Sequence, residues 1–585
     1  MIEPRIYRAA FIPALFAFVI AMFSLQSRPP SVPQALAADV LFDGRVALTG
    51  TRRLVAAHPD RRPGRDGNLA AAGEVASNLR AQHFSVLVDR FREQGKDLVN
   101  VVGRRIGEST RQLVVIAPRD ARHVPDLAGS AADTASLIEI ARTLEGRVTQ
   151  KTLVLASVDG STLGSAGARR LAGQLAAAGP VEAVVVLSDT GMANARGTLL
   201  IPWSETTART GLRLQRTVGE SLRLEVQRGG AGRSPGTAAQ LARLSFPVGL
   251  GDQAPFLDSG FDTLRLSGSG ELPPDGQPEP NADRLGSIGR ATLRTVFAYD
   301  AAGSVSESPS SFVLVAQKLL PRWSVALFVA TLLLPLIAAA IDSFARVRRR
   351  REPVVPWLRW IAAGVVPFLV ALAVAEFLVL VGQAPNPPPL PLAPGQYALD
   401  GAAAVTLGVC ALFFGLAWLF ARPWLAGQRG SPDSAGAGAA LALVLSVGAI
   451  LVWVVNPFAA LLLLPAFHLW LLVTTSNVPP PRPAGIALVI AGAIPPIAVV
   501  LAVLARLSLG PLAGLWYGFG LVTGHHVGLY TSLVGALLLS CFAAALRIAF
   551  ARRPEPPVAE STTVRGPRGY AGPGSLGGTE SALRR

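Results

Sequence analysis

Polar side chains with acid or hydroxyl groups follow three apolar runs in the first half of the chain. Asp120 comes after QLVVIAP, 159–162 after KTLVLASV, and Asp189 after VEAVVVLS. Short β-branched runs of this kind are typical of buried strands, and the helical patterns around them predict an α/β layered fold. Because ligands of such folds gather at the carboxyl ends of strands, we expect the chemistry of this domain at these positions.

Cysteine chemistry is excluded outside the membrane, because Cys410 and Cys541 both lie in long apolar runs. Ser161 has the residue type of a serine nucleophile, which requires a neighbouring base. The histidines in this half of the chain are His58, His83 and His123. None belongs to a segment expected to reach Ser161. His123 is expected in a solvent-facing loop, and its alternative is to fold back toward Asp120 as a metal ligand.

Eight apolar runs are long enough to cross a bilayer, which takes about 20 residues in a helix. They cover 9–25, 323–344, 357–382, 401–421, 437–455, 457–475, 484–505 and 527–548. If the N-terminus is inside, the arginines that follow the second, fourth and last runs all face the cytoplasm, as the positive-inside rule requires. The sequence therefore predicts an integral protein of the plasma membrane, with cytoplasmic termini and an extracytoplasmic domain.

The composition supports this organisation. Only 16% of the residues are charged, against about 25% in soluble domains, and the 54 Lys and Arg against 38 Asp and Glu give a net charge of +16. Cytoplasmic arginines account for this surplus, so no nucleic-acid partner is predicted. The predicted regions are an uncleaved anchor at 1–27, a domain at 38–315, a seven-helix bundle at 323–548 and a disordered tail at 554–585.

Ionisable groups inside the predicted spans are candidates for function, because they are costly to place in hydrocarbon. Glu376 lies toward the outer end of the third span and is a possible partner of Arg506; the alternative is that it reaches the interface. His468 in the sixth span and the pair at 525–526 could line a polar cavity or hold a metal ion. The pair also fits an outer interface, beside the aromatic LWYGFG.

The order of these segments resembles the M28 family of zinc aminopeptidases over roughly 50–300. The run RRPGRDGNLAAAGEVASNLRAQHFSVLVDRF is similar to the first helix of the family and its next strand, and DLVNVVGR to the strand after that. The resemblance implies an α/β/α sandwich around a mixed sheet. Membrane-bound M28 peptidases and the M28-like subunit of the GPI transamidase share the layout of an anchor, an outer domain and a helical bundle.

The family binds two zinc ions through two histidines, two aspartates and a glutamate, with another glutamate as the general base. The resemblance places Asp133 and Asp189 at the two aspartate positions. Different residue types occupy the others: Pro118 and Gln253 at the histidines, Thr162 at the ligand glutamate and Ser161 at the base. Asp120 and Asp252 match the carboxylates beside the two histidines. The resemblance therefore implies a pseudoenzyme for which no cofactor is expected.

Three hypotheses follow. The first is a binding or scaffold protein that uses the old cleft to hold a peptide, an amine-bearing headgroup or a protein partner, while the bundle contacts lipid. The second is an active membrane-bound zinc metallopeptidase with an atypical metal site on Asp133 and Asp189. Asp133 and Asp189 also have an alternative, purely structural role: Asp133 as a helix cap and Asp189 as a hydrogen-bond acceptor at the end of a strand. The third is a transporter that works through Glu376 and its neighbours.

Overall fold

The structure is a computed structural model. It describes residues 4–33, 41–194, 199–226, 235–274, 276–303, 310–316, 318–387, 391–427, 434–475 and 480–551. The predicted tail at 554–585 lies outside these ranges.

The first half of the chain builds an α/β domain. Its strands are β2 (Ser85–Glu93), β3 (Lys96–Arg105), β4 (Ser109–Pro118), β5 (Lys151–Val158), β6 (Val181–Ser188), β7 (Leu200–Ile201) and β8 (Thr263–Ser267). Its helices are α2 (Gly44–Ala57), α3 (Asp66–Ala81), α4 (Ala132–Thr143), α5 (Ala166–Ala178), α6 (Leu212–Glu225), α7 (Thr237–Ser245), α8 (Gln253–Asp258) and α9 (Ala282–Ala301). A helix α1 (Pro4–Phe23) and a short strand β1 (Gln26–Ser27) precede them.

The seven strands form one mixed sheet in the order β2-β3-β5-β4-β6-β8-β7. The pairs of β4 with β5, β4 with β6 and β6 with β8 are parallel, and the outer pairs are antiparallel. Alternate residues of a strand face opposite sides of a sheet. In β4, Leu113 and Val115 join one apolar core with α4, α6 and α9, while Val114 and Ile116 join another with α5 and Phe256. The predicted α/β fold with a mixed sheet is confirmed, with helices on both of its faces.

A second, smaller sheet connects the domain to the helical region. It contains β1, β9 (Phe312–Val315) and β10 (Lys318–Pro321), all antiparallel. β10 leads directly into α10 (Arg322–Arg349), which packs against α1 through Phe18 and Phe328 and through a 2.7 Å hydrogen bond between the hydroxyls of Ser24 and Ser324. The two ends of the domain therefore meet at the same pair of helices.

The second half of the chain is helical. It contains α11 (Val355–Ala363), α12 (Val366–Leu380), α13 (Gly401–Leu416), α14 (Arg422–Ala426), α15 (Ala435–Val455), α16 (Pro457–Thr475), α17 (Arg482–Arg506), α18 (Pro511–Thr523) and α19 (Leu529–Phe550). In the part of the chain that the structure describes, seven segments are long and apolar enough to cross a membrane: α10, α11 with α12, α13 with α14, α15, α16, α17 and α19. They coincide with the seven predicted spans after 320.

An eighth span is not confirmed, because the apolar part of α1, Arg8–Phe23, is shorter than these seven. Helix α18 was not predicted. Its two glycine-rich turns disfavour a helix by propensity, but Trp516, Tyr517 and Phe519 are buried against Tyr397 and the loops around it, and this packing outweighs the propensity.

Candidate functional site

The residues after β4, β5 and β6 come together as the sequence predicts. Asp120, Asp133, Ser161, Asp189 and Asp252 all line one cavity of about 770 Å³ at the carboxyl edge of the sheet. This position follows from the parallel arrangement of β5, β4 and β6, whose chain ends point to the same side. The cavity is within the usual volume range for small-molecule sites.

Asp120 is held by the loop after β5. Its carboxylate accepts hydrogen bonds from the main-chain amides of Ser161 and Thr162, each at 2.9 Å, and from the Thr162 hydroxyl at 2.7 Å. Burial, assisted by the charge of Asp159, raises the pKa of Asp120 to about 6. Thr162 therefore binds a neighbouring carboxylate instead of presenting a ligand atom of its own.

Asp133 does not cap its helix. Helix α4 begins one residue earlier, after a π turn at Leu127–Ala131, and the buried carboxylate of Asp133 accepts the main-chain amides of Asp189 at 2.9 Å and Thr190 at 2.8 Å. Thr134, the next residue of the helix, donates to the Pro118 carbonyl at 3.3 Å. Burial and the charge of Asp189 raise the pKa of Asp133 well above its ordinary value.

Asp189 accepts hydrogen bonds at the end of β6, as one of the two alternatives predicts. Its carboxylate takes the hydroxyls of Ser269 at 2.6 Å and Ser188 at 3.1 Å. Its backbone is left-handed, with φ +52°, a conformation that aspartate tolerates better than most residues. In this turn the amides of residues 189 and 190 both reach Asp133, and burial raises the pKa of the Asp189 carboxyl.

The hydrogen-bond partner of the Ser161 side chain is a carboxylate and not a histidine. Its hydroxyl donates to Asp252 at 2.6 Å, and burial raises the pKa of that carboxyl. His123 is exposed at the rim of the cavity, with its carbonyl accepting from Gln277 at 2.9 Å. Gln253 is fully buried, and its Nε2 donates to the carbonyls of Trp203 at 2.8 Å and Leu250 at 2.9 Å.

Two buried arginines at the site were missed by sequence reasoning. Arg119, between Pro118 and Asp120, has no exposed side chain and pairs with Asp159 at 3.2 Å, while donating to the main chain of Val99 at 2.6 Å. Arg265 in β8 lines the cavity and is 7% exposed. Burial lowers the pKa of both guanidinium groups. No spacing signal in the sequence marks either residue, because both are single arginines next to apolar strands.

Loops between the long apolar helices form the other wall of the cavity. Residues 391–399, between α12 and α13, and 507–509, after α17, line it opposite the strand ends. The domain is attached there by three side chains. Asn456 donates to the Leu244 carbonyl at 2.8 Å, Arg506 to Val248 at 3.3 Å, and the His526 ring nitrogen Nε2 lies 3.0 Å from the Pro247 carbonyl. The position of the pair at 525–526 at the outer membrane interface stays a prediction.

The predicted pair of Glu376 and Arg506 is wrong. Arg506 lies 4.0 Å from Glu271, in the loop after β8, because the domain covers the end of α17. Glu376 is partly buried on α12. His468 links two helices, with its Nε2 3.0 Å from the Leu332 carbonyl of α10. Neither residue lines the cavity at the sheet edge.

The side chains present do not fit a pair of zinc ions. Zinc in proteins is bound by imidazole, thiolate and carboxylate groups, whereas Pro118 offers no donor and Gln253 directs its amide to the main chain. Within the described ranges, no three His, Cys, Asp or Glu side chains are grouped so that they could hold a metal ion.

Comparison with protein-family models and with curated proteins gives no match. Among solved structures, the chain is similar to the glutaminyl cyclase of an Acidobacteriales bacterium, with 15% identity over 46% of this chain and 100% of that one and a TM-score of 0.37. It is also similar to Porphyromonas gingivalis glutaminyl cyclase, with 17% identity over 44% of this chain and 98% of that one and a TM-score of 0.36. A leucine aminopeptidase precursor from Bacteroides thetaiotaomicron matches with 16% identity over 46% of this chain and 99% of that one and a TM-score of 0.36. The likeness is one of fold and covers a little under half of this chain.

Proposed function

We propose that this protein is a membrane-embedded binding or scaffold protein. Its M28-like domain no longer hydrolyses peptides and holds a peptide or protein partner outside the membrane. The observation that carries the proposal is the use of the carboxylates at the retained positions. Asp133 accepts two main-chain amides and Asp189 accepts two hydroxyls. These groups stabilise the loops of the cleft and are poorly placed to serve as free ligands.

The chemistry around Ser161 supports the loss of hydrolysis. A metallohydrolase needs a carboxylate that takes the proton from water, and the residue at this position is a hydroxyl that donates to Asp252. Asp120 carries a full set of internal donors from Ser161 and Thr162. The loop after β5 is therefore fixed by its own hydrogen bonds.

The cavity supports a retained binding role. Its strand-end wall is polar, while its opposite wall contains Leu392, Leu399 and Leu509 from the helix loops. A ligand with a polar end and an apolar body would be complementary to both walls. The resemblance of this layout to that of membrane-bound M28 peptidases and of the GPI transamidase subunit supports a role in recognition or assembly.

The proposed orientation has the termini in the cytoplasm and the domain outside. Asn456, Arg506 and His526 lie at three separate helix ends and all contact the domain, so these ends share one side of the bundle. The arginines at 346–351 are at the opposite end of α10. Reporter fusions after residue 350 and within 383–387 should report opposite sides of the membrane.

The test is the zinc stoichiometry of the full-length protein in detergent, after incubation with zinc and desalting, together with its activity on aminopeptidase substrates. We expect less than about 0.1 zinc per chain and no turnover, with the Asp133→Ala variant as the control for residual binding. One or two retained ions, lost in the Asp133→Ala or Asp189→Ala variant, would overturn the proposal in favour of the atypical metallopeptidase.

A further inference from the structure

We propose that the guanidinium of Arg265 is the built-in cation of this site. It balances the buried charges of Asp189 and Asp252, a task that falls to metal ions in zinc peptidases, and it keeps divalent cations out of the cavity. The inference rests on the proposed loss of the metal and names the residue that makes a metal-free site stable.

The backbone brings Arg265 to the same cavity as the two carboxylates. Strand β8 lies parallel to β6, with Arg265 opposite Val186, and Asp189 follows directly after β6. On the other side, Nη1 of Arg265 lies against Gly251, the residue before Asp252, so closely that a Cβ at position 251 would collide with it. Gly251 has a φ of +100°, which also favours glycine. Val186, Asp189, Gly251, Asp252 and Arg265 all line the same cavity.

The other charges near Arg265 are already balanced. Glu271 is held by Arg243, with one contact of 2.7 Å from Nη1 to Oε2, and by Arg506 at 4.0 Å. Arg265 itself donates Nη2 to the carbonyls of Gly270 at 3.2 Å and Glu271 at 2.9 Å. Main-chain acceptors thus fix its position, while its charge remains available to Asp189 and Asp252, which it favours in their ionised forms.

Without this cation, the buried carboxylate of Asp189 would keep only its hydroxyl donors, and that of Asp252 would keep its hydroxyl donor and the charge of Arg169. Such an arrangement is strongly unfavourable in a low-dielectric interior. The usual solution in a metal site is a divalent ion. Here the solution is a side chain of the same protein, which cannot dissociate.

The test is thermal unfolding of full-length variants in detergent. Arg265→Met should lower the Tm by roughly 5 °C or more, and Arg265→Lys should lower it less. Adding Asp189→Asn and Asp252→Asn to Arg265→Met should recover at least half of the loss. In Arg265→Met, 1 mM Mn²⁺ should raise the Tm, because the carboxylates are then free to bind a hard cation, whereas the wild type should not respond.

Arg122→Met is the matched control, since Arg122 lines the same cavity and its pKa is shifted by burial alone. Its effect on Tm should not depend on the two Asp→Asn changes. The inference is overturned if the Arg265→Met loss is unchanged by removing the carboxylates, or if Mn²⁺ affects wild type and variant alike. If Arg265→Met does not fold, the test passes to the triple variant, in which Arg265→Met is combined with Asp189→Asn and Asp252→Asn. The inference requires this triple variant to fold if the double variant Asp189→Asn, Asp252→Asn folds. Zinc bound by the wild type would instead contradict the proposed function.

Discussion

The carboxylate of Asp133 accepts a hydrogen bond from the main-chain amide of Asp189 at 2.9 Å. These are the two zinc-ligand positions at which the resemblance to zinc peptidases keeps an acidic residue, and here the side chain of Asp133 supports the backbone of Asp189. A carboxylate used in this way serves as a hydrogen-bond acceptor that holds the main chain in place. Its presence alone is therefore weak evidence of a metal site.

This relationship predicts the effect of mutating Asp133. Asp133→Ala removes the acceptor of two buried amides and should cost about 2–4 kcal/mol of unfolding free energy. Asp133→Asn retains one acceptor oxygen and should cost less than half as much. Denaturant unfolding of the full-length protein in detergent measures both. Equal losses in the two variants would show that the negative charge of residue 133, and not its acceptor geometry, is what matters.

Asp120 should make stability depend on pH between about 4 and 6. Its pKa is raised from 3.8 to about 6 on folding by burial and by Asp159, so the folded state binds more protons than the unfolded state in this window. The unfolding free energy therefore falls as the pH rises, by at most about 3 kcal/mol from this group.

The measurement is the difference in Tm between wild type and Asp120→Asn from pH 4 to pH 7. Other buried carboxyls of the site shift in the same direction, and taking the difference removes their common contribution. The amount by which the Tm of Asp120→Asn lies below that of the wild type should decrease as the pH rises. Parallel curves for the two proteins would contradict the raised pKa of Asp120.

Apolar patterns in short stretches of sequence were sufficient to predict individual strands and helices. Apolar runs located β4 to β6 and the seven long helices, and the resemblance to the M28 family located α3 and β3. The meeting of Asp120, Ser161 and Asp189 followed from the parallel order of strands. Charges with distant partners could not be assigned in this way. Arg506 pairs with a glutamate 235 positions earlier because the domain covers the end of α17, and no spacing rule reports such a contact.

Asn456 should control the attachment of the domain to the helices. Its Nδ2 donates to the carbonyls of Leu244 and Ser245 at the end of α7, and its Oδ1 accepts the amides of Phe458 and Ala459 at the start of α16. Asn456→Asp keeps a good helix cap but loses the donor to α7. We expect amide exchange in α7 to accelerate roughly tenfold, which corresponds to about one lost hydrogen bond.

Helix α5, which packs on the sheet together with Phe256, supplies the internal reference and should exchange at the wild-type rate. Asn456→Ala, which loses the cap as well, should accelerate exchange at the start of α16 in addition. Unchanged exchange in α7 of Asn456→Asp would mean that other contacts hold the domain in place.

Restoring the missing ligands should restore zinc binding only as a set. Gln253→His alone should bind no zinc, because the side chain at 253 is directed to the carbonyls of Trp203 and Leu250. Combining it with Pro118→His and Thr162→Glu supplies the donor types that zinc prefers, and adding Arg265→Met should tighten binding further by removing a competing positive charge. Zinc per chain after desalting is the readout, with circular dichroism to establish folding.

Peptidase activity should require Ser161→Glu in addition, since a general base is needed to activate water. A folded, fully substituted chain that stays free of zinc would show that these positions do not correspond to a metal site at all.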